Sequence, residues 1–210
     1  MPSGPEDDSR WTLGVTIQTN DPKFFEKWEE RFEQELSRNL DEAREWILTN
    51  CGRRQYLDAV MHLHGEMYFQ DWLVLLGDLW CGCEKVGLWR DDLVEIIKEW
   101  VDEPLTVIPK LMSPEELKAF EDLPEQITIY RGCGSINKNG LSWTFDRQKA
   151  MKFPFYRGYR ADQPILLTAI ISKRRAAALK LERNEQEIIV IDLPESCWKE
   201  EPISEPPSME

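Results

Sequence analysis

The sequence has no apolar run long enough to cross a bilayer. Its most apolar stretch, Trp72 to Trp80, is short and interrupted by Asp78, whereas a spanning helix needs about 20 apolar residues. The first ten residues, MPSGPEDDSR, are polar and acidic and lack the basic and then apolar order of a secretory signal. A membrane partner is therefore not expected, and a cytoplasmic location is. Cysteine and histidine are scarce. The five cysteines, at 51, 81, 83, 133 and 197, are an odd and scattered set that makes no disulfide framework and suits a reducing compartment. The two histidines stand as His62-x-His64 and two of the cysteines as Cys81-x-Cys83. In helix, residues two apart diverge by about 200° around the axis and cannot face one ion, so no metal site is expected. No internal repeat is visible.

What the chain does have is charge, unevenly placed. Its net charge is −13, but Met1–Glu125 holds 28 acidic and 13 basic residues, Gln126–Leu193 holds 6 and 12, and Pro194–Glu210 holds 5 and 1. A basic centre inside an acidic protein points to an anionic contact there, such as a phosphate-bearing ligand. A hydrophobic content of 41% with nine tryptophans is ample for a packed core.

Residues 1–20 read as a loose arm. From 21 to 125 the pattern is mainly helical. Asp21 and Pro22 open a helix on which Phe24, Phe25, Trp28, Phe32, Leu36 and Leu40 recur at spacings of three and four. A second helical pattern runs over Glu42–Leu48 and stops at Asn50-Cys51-Gly52. Gln55–Trp80 reads as one or two buried helices broken near Gly65 or Gly77. Leu88–Val101 is amphipathic, with Leu93, Ile96, Ile97 and Trp100 inward. Ser113-Pro114-Glu115-Glu116 is a helix start with a Ser cap and a capping-box Glu, and the helix ends near Leu123-Pro124. Strand alternation then appears over Gln126–Arg131, Leu141–Phe145, Ile165–Ser172 and Gln186–Ile191, with a short Asp-capped helix over Asp146–Phe153. The last segment, 194–210, is Pro- and Glu-rich and reads as a flexible acidic tail. The expected fold class is α+β, a helical N-terminal region followed over 126–193 by a compact mixed or antiparallel sheet.

Three blocks in that sheet carry polar residues among strand-type apolar ones. Arg131 ends a strand and precedes Gly132-Cys133-Gly134. Its guanidinium suits either a diphosphate or a surface ion pair, and the glycines permit close approach to the backbone. Ser142 and Thr144 lie two apart on a strand, so their hydroxyls share a face while Leu141 and Trp143 take the other. Glu185 and Glu187 pair in the same way. Two carboxylates on one face serve a cation, share a proton, bind a substrate or simply keep a strand edge soluble.

Tyr-Arg-Gly on a first strand, then Gly-x-Ser-x-Thr leading into a helix with Ala150 and Phe153, then Glu-x-Glu opening a late strand resembles the arginine–serine–glutamate class of ADP-ribosyltransferases, which includes toxin and phage-encoded members. The resemblance covers Ile127–Asp192. It implies an ADP-ribosyltransferase-like core that binds NAD as co-substrate and uses no metal. In it Arg131 and Gly132 meet the phosphates or ribose, Ser142 and Thr144 support the pocket, Glu187 is catalytic, and Glu185 stands where the acceptor is engaged. Trp143 departs from the family's middle Thr. A stacking ring for nicotinamide is expected from Phe153, Phe155 or Tyr156, each of which fits the core equally well. The implied acceptor is an arginine on a cytosolic protein, in a host's cytoplasm if the chain is phage- or toxin-encoded. A nucleic-acid acceptor, suggested by the basic centre, and water, giving NAD hydrolysis, are the related outcomes. The rival from another class is a non-enzymatic acidic binding protein or inhibitor that imitates nucleic acid on a transferase-like scaffold.

Overall fold

A computed structural model describes residues 11–12, 15–16, 22–84, 86–100, 107–156, 161–182 and 186–204, with side chains from Trp28 onward. The fold is α+β. Helices α1 (Pro22–Glu35), α2 (Leu40–Asn50), α3 (Arg53–His62), α4 (Phe69–Leu79), α5 (Arg90–Trp100) and α6 (Pro114–Glu121) precede the sheet. A seventh helix, α7 (Arg147–Lys152), lies between two of the sheet's strands. In the arm, β1 (Trp11–Thr12) pairs with β2 (Val15–Thr16). The main sheet is antiparallel throughout and uses β3 (Gln126–Cys133), β4 (Ser142–Thr144), β5 (Ile165–Ser172), β6 (Ala178–Lys180), β7 (Glu187–Ile189) and β8 (Trp198–Pro202), in the order β6-β7-β4-β3-β5-β8. No helix among the described residues is long and apolar enough to cross a membrane.

Strand register sorts the side chains onto two faces. Ser142, Ile189 and Ala178 align across β4, β7 and β6, as do Thr144, Glu187 and Lys180, while Trp143, Ile188 and Leu179 point the other way. Ala178 and Ile189 join the large core of the helical layer, built around Trp72, Leu75, Leu76 and Ile47, so that layer covers the face carrying Glu187. Trp143, Ile188 and Leu179 join a second core with Ile129, Leu167, Phe120 and Trp198. Each fully buried Leu or Ile in these cores contributes about 1.5–3 kcal/mol.

Helix starts follow the side-chain chemistry. Asn39 accepts from the Asp41 and Glu42 amides at α2, and Asp146 accepts from Gln148 and Lys149 at α7. At α6 the Ser113 hydroxyl accepts from the Glu116 amide at 3.2 Å, and the Glu116 carboxylate accepts from the Ser113 amide at 2.8 Å. Ser113→Ala should therefore lower stability by about 1 kcal/mol in urea titration, the usual worth of an N-cap.

Several expectations need correction. The segment read as a tail from Pro194 forms β8, which pairs with β5 from Trp198 to Pro202. Trp198 anchors it 5.9 Å from the Trp143 ring, while Lys199–Pro202 stay exposed. Charged residues are what an edge strand carries, and they disguised it as tail. The long apolar stretch breaks over residues 63–68, where Gly65 takes φ 82°, and Gly77 lies inside α4. Trp100 is 57% exposed and stacks on Phe69 at 4.8 Å, outside the core. Leu141 packs into the helical core and Trp143 into the sheet core, so the two do not share surroundings. Asp21 lies outside the described residues.

Candidate functional site

The three strands that carry the motif blocks are neighbours, in the order β7-β4-β3. Glu187 stands directly across from Thr144 and diagonally from Ser142, on one face. Its carboxylate accepts a hydrogen bond from the Trp80 indole Nε1 at 2.7 Å. Trp80 follows α4 and is buried, so the helical layer reaches the sheet at this carboxylate. Nothing in the sequence links positions 107 residues apart, and Trp80 read only as core.

Beside Trp80, the Cys81 thiol is pushed up to about 12 by burial first and then by the charges of Glu187 and Glu182. That holds it as a thiol at neutral pH, so it is not a ready nucleophile. Lys180, opposite Glu187 in register, turns its ammonium to the Glu116 carboxylate at 2.6 Å and the Leu111 carbonyl at 3.1 Å, both in the interior. The Thr144 hydroxyl accepts from the Asp146 amide at 3.1 Å and so also fixes the turn into α7.

Arg131 is placed differently. Pairing of Tyr130 with Thr144 and of Arg131 with Leu167 puts its side chain on the face opposite Glu187. Its guanidinium is buried and donates to the Ser142 carbonyl at 2.7 Å, to the Asn137 carbonyl at 3.2 Å and to Asn137 Oδ1 at 3.0 Å. A Cβ at Gly140 would overlap this guanidinium. Arg131 thus gathers the loop from Gly134 to Leu141 against the start of β4.

The glycine after Arg131 serves the chain's own packing. A Cβ on Gly132 would overlap the Ala150 carbonyl oxygen of α7. Gly132→Ala should force α7 outward and lower the stability measured by urea titration by about 1–3 kcal/mol, the usual cost of such overpacking. Gly132, Cys133, Asn137, Phe153, Pro154 and Asp162 line a cavity of about 60 Å³, far below the ~300–1,000 Å³ of ligand-enclosing pockets. Phe153 and Tyr156 are partly exposed and meet edge to face at 6.0 Å.

Glu185 lies outside the described residues. Gln186 takes φ 47°, so extended pairing begins at Glu187 and the alternation argument for both carboxylates does not carry across position 186. The structure therefore brings Ser142, Thr144 and Glu187 together on one face, with Gly132 against α7 near Phe153 at the end of β3 and Arg131 on the opposite face. No group of three or more His, Cys, Asp or Glu residues suited to a metal occurs among the described residues. Compared with protein-family models, curated proteins and solved structures, the chain matches none.

Proposed function

We propose that the protein is a mono-ADP-ribosyltransferase acting in the cytoplasm, with an arginine of another protein as acceptor. The observation that carries this reading is the adjacency of the three motif strands, with Glu187 across from Thr144 on the face that also bears Ser142. Breaking the bond between ribose and nicotinamide builds positive charge on the ribose, and a carboxylate held close favours that state. Nicotinamide leaves with the bonding electron pair. A guanidine nitrogen of the acceptor then bonds to the ribose carbon and releases its proton. Ser142 and Glu187 offer a hydroxyl and a carboxylate on the face that the helical layer covers, so the ribose has to enter between that layer and the sheet, beside Trp80. Arg131 acts here through the loop it holds, since its fork already engages Ser142 and Asn137.

The same engagement of Arg131 favours a second reading, a binding protein without turnover. One assay separates the two. The purified chain is given NAD labelled in its adenosine half together with cytosolic protein or nucleic acid, and nicotinamide release and label transfer are followed. Transfer to protein arginines, located by mass spectrometry, is the expected result. Release without transfer would make it an NAD hydrolase, and label on nucleic acid would change the acceptor. No release with any acceptor would sink the enzyme reading.

A further inference from the structure

The helical layer contains a groove of about 620 Å³, within the ~300–1,000 Å³ of pockets that enclose ligands. It runs between three helices. From α1 come Trp28, Phe32 and Glu29; from α3, Asp58 and His62. The segment through α5 adds the Trp89 ring and the carboxylates of Asp92, Glu95 and Glu99 at helical spacing. The floor is aromatic and the rim is acidic, with no Lys or Arg among the lining residues. Trp89 donates its indole N–H to Asp58 at 2.8 Å, which fixes the ring against the wall. Glu29, Asp92, Glu95 and Glu99 are exposed and form no ion pair with a described residue.

We infer that this groove docks an arginine-bearing segment of a partner protein. Guanidinium is the cation that such walls fit best, because it lies flat on aromatic rings and forks to carboxylates. The chain shows this chemistry beside the groove, where Arg31 stands 5.1 Å from the Trp28 ring while paired with Glu35 at 2.9 Å. An acidic rim repels the phosphates of nucleic acid, so the occupant is a basic polypeptide. The inference goes beyond transferase chemistry and needs no NAD.

The test is fluorescence anisotropy of a labelled Arg-Gly repeat peptide on the full chain without NAD, against Lys-Gly and Glu-Gly repeats of equal length. Arg-Gly should bind tightest, weaken with added salt, and outcompete Lys-Gly. The combined variant Asp92→Asn, Glu95→Gln, Glu99→Gln should weaken it about tenfold by removing three rim charges. The control Glu45→Gln, Glu121→Gln, Glu195→Gln removes as much charge from exposed sites elsewhere and should change affinity by less than about twofold. Equal weakening by both variants would reduce the effect to general acidity and overturn the groove. Absence of Arg-Gly binding, or equal affinity for Lys-Gly, would overturn it as well. A concentration-dependent dimer in sedimentation that the groove variant dissolves would identify a second copy as the occupant and overturn the partner assignment.

Discussion

Glu116→Gln is expected to destabilise the protein by about 3–5 kcal/mol, the cost of breaking a buried ion pair from one side. The Glu116 carboxylate receives the Lys180 ammonium at 2.6 Å, the Leu181 amide at 3.1 Å and the Ser113 amide at 2.8 Å, with both charged side chains almost fully enclosed. The two amides meet different carboxylate oxygens, so a glutamine, with one acceptor oxygen, can accept from only one and turns its NH2 toward the other. It cannot balance the ammonium, whose other partner is the Leu111 carbonyl. A drop in urea midpoint at unchanged slope is the readout. Glu116→Gln combined with Lys180→Met should recover part of the loss, because removing the ammonium leaves no buried charge without its counterion. If the single variant is as stable as the parent, the pair is not what ties α6 to β6.

The pH dependence follows from the same contacts. Burial alone would raise the Glu116 carboxyl, but the Lys180 hydrogen bond and the Ser113 and Leu181 amides outweigh it and hold the group below its ordinary value of 4.5. Between the lowered folded value and about 4.5 the unfolded chain binds more protons, so stability rises with pH across that window. The contribution is complete above the unfolded value and is lost as pH falls through the folded one. Glu116→Gln should remove this part of the acid slope.

The capping box that uses Glu116 was legible in the sequence, because Ser-Pro-Glu-Glu is a local signal. Its ion pair was not, since Lys180 is 64 residues away and lies on a three-residue strand, Ala-Leu-Lys, with no alternation to read. The same division holds throughout. Ile165–Ser172 and the Asp146 cap were visible because propensity and pattern agree there. β8 was hidden by the solvent-facing charges of an edge. Period two correctly placed the Ser142 and Thr144 hydroxyls on one face, but it said nothing of Arg131's face, which depends on how β3 pairs with β4 and β5. For Glu185 the period failed at its premise, an extended residue 186. The groove was legible only as acidity. That three helices turn Trp28, Asp58 and Glu95 toward one another is a tertiary fact.

If the proposed transferase reading holds, Glu187→Gln should lower the kcat of NAD cleavage by about 10²–10³-fold, the scale of removing one group aimed at developing charge, with KM nearly unchanged. Gln keeps the shape and can still accept from Trp80 Nε1, so circular dichroism and the urea midpoint should match the parent. What it lacks is the negative charge, which matters most when the ribose is positive. Trp80→Phe asks a different question. It retains most of the buried ring but deletes the N–H that aims the carboxylate at 2.7 Å. If Trp80 positions Glu187, kcat should fall by about tenfold, the effect of losing one oriented hydrogen bond, again with KM held. In the double variant the two losses should not add, because both act through one carboxylate. Additive losses would mean that Trp80 affects turnover through the fold alone, and an unchanged kcat in Glu187→Gln would remove this carboxylate from the chemistry.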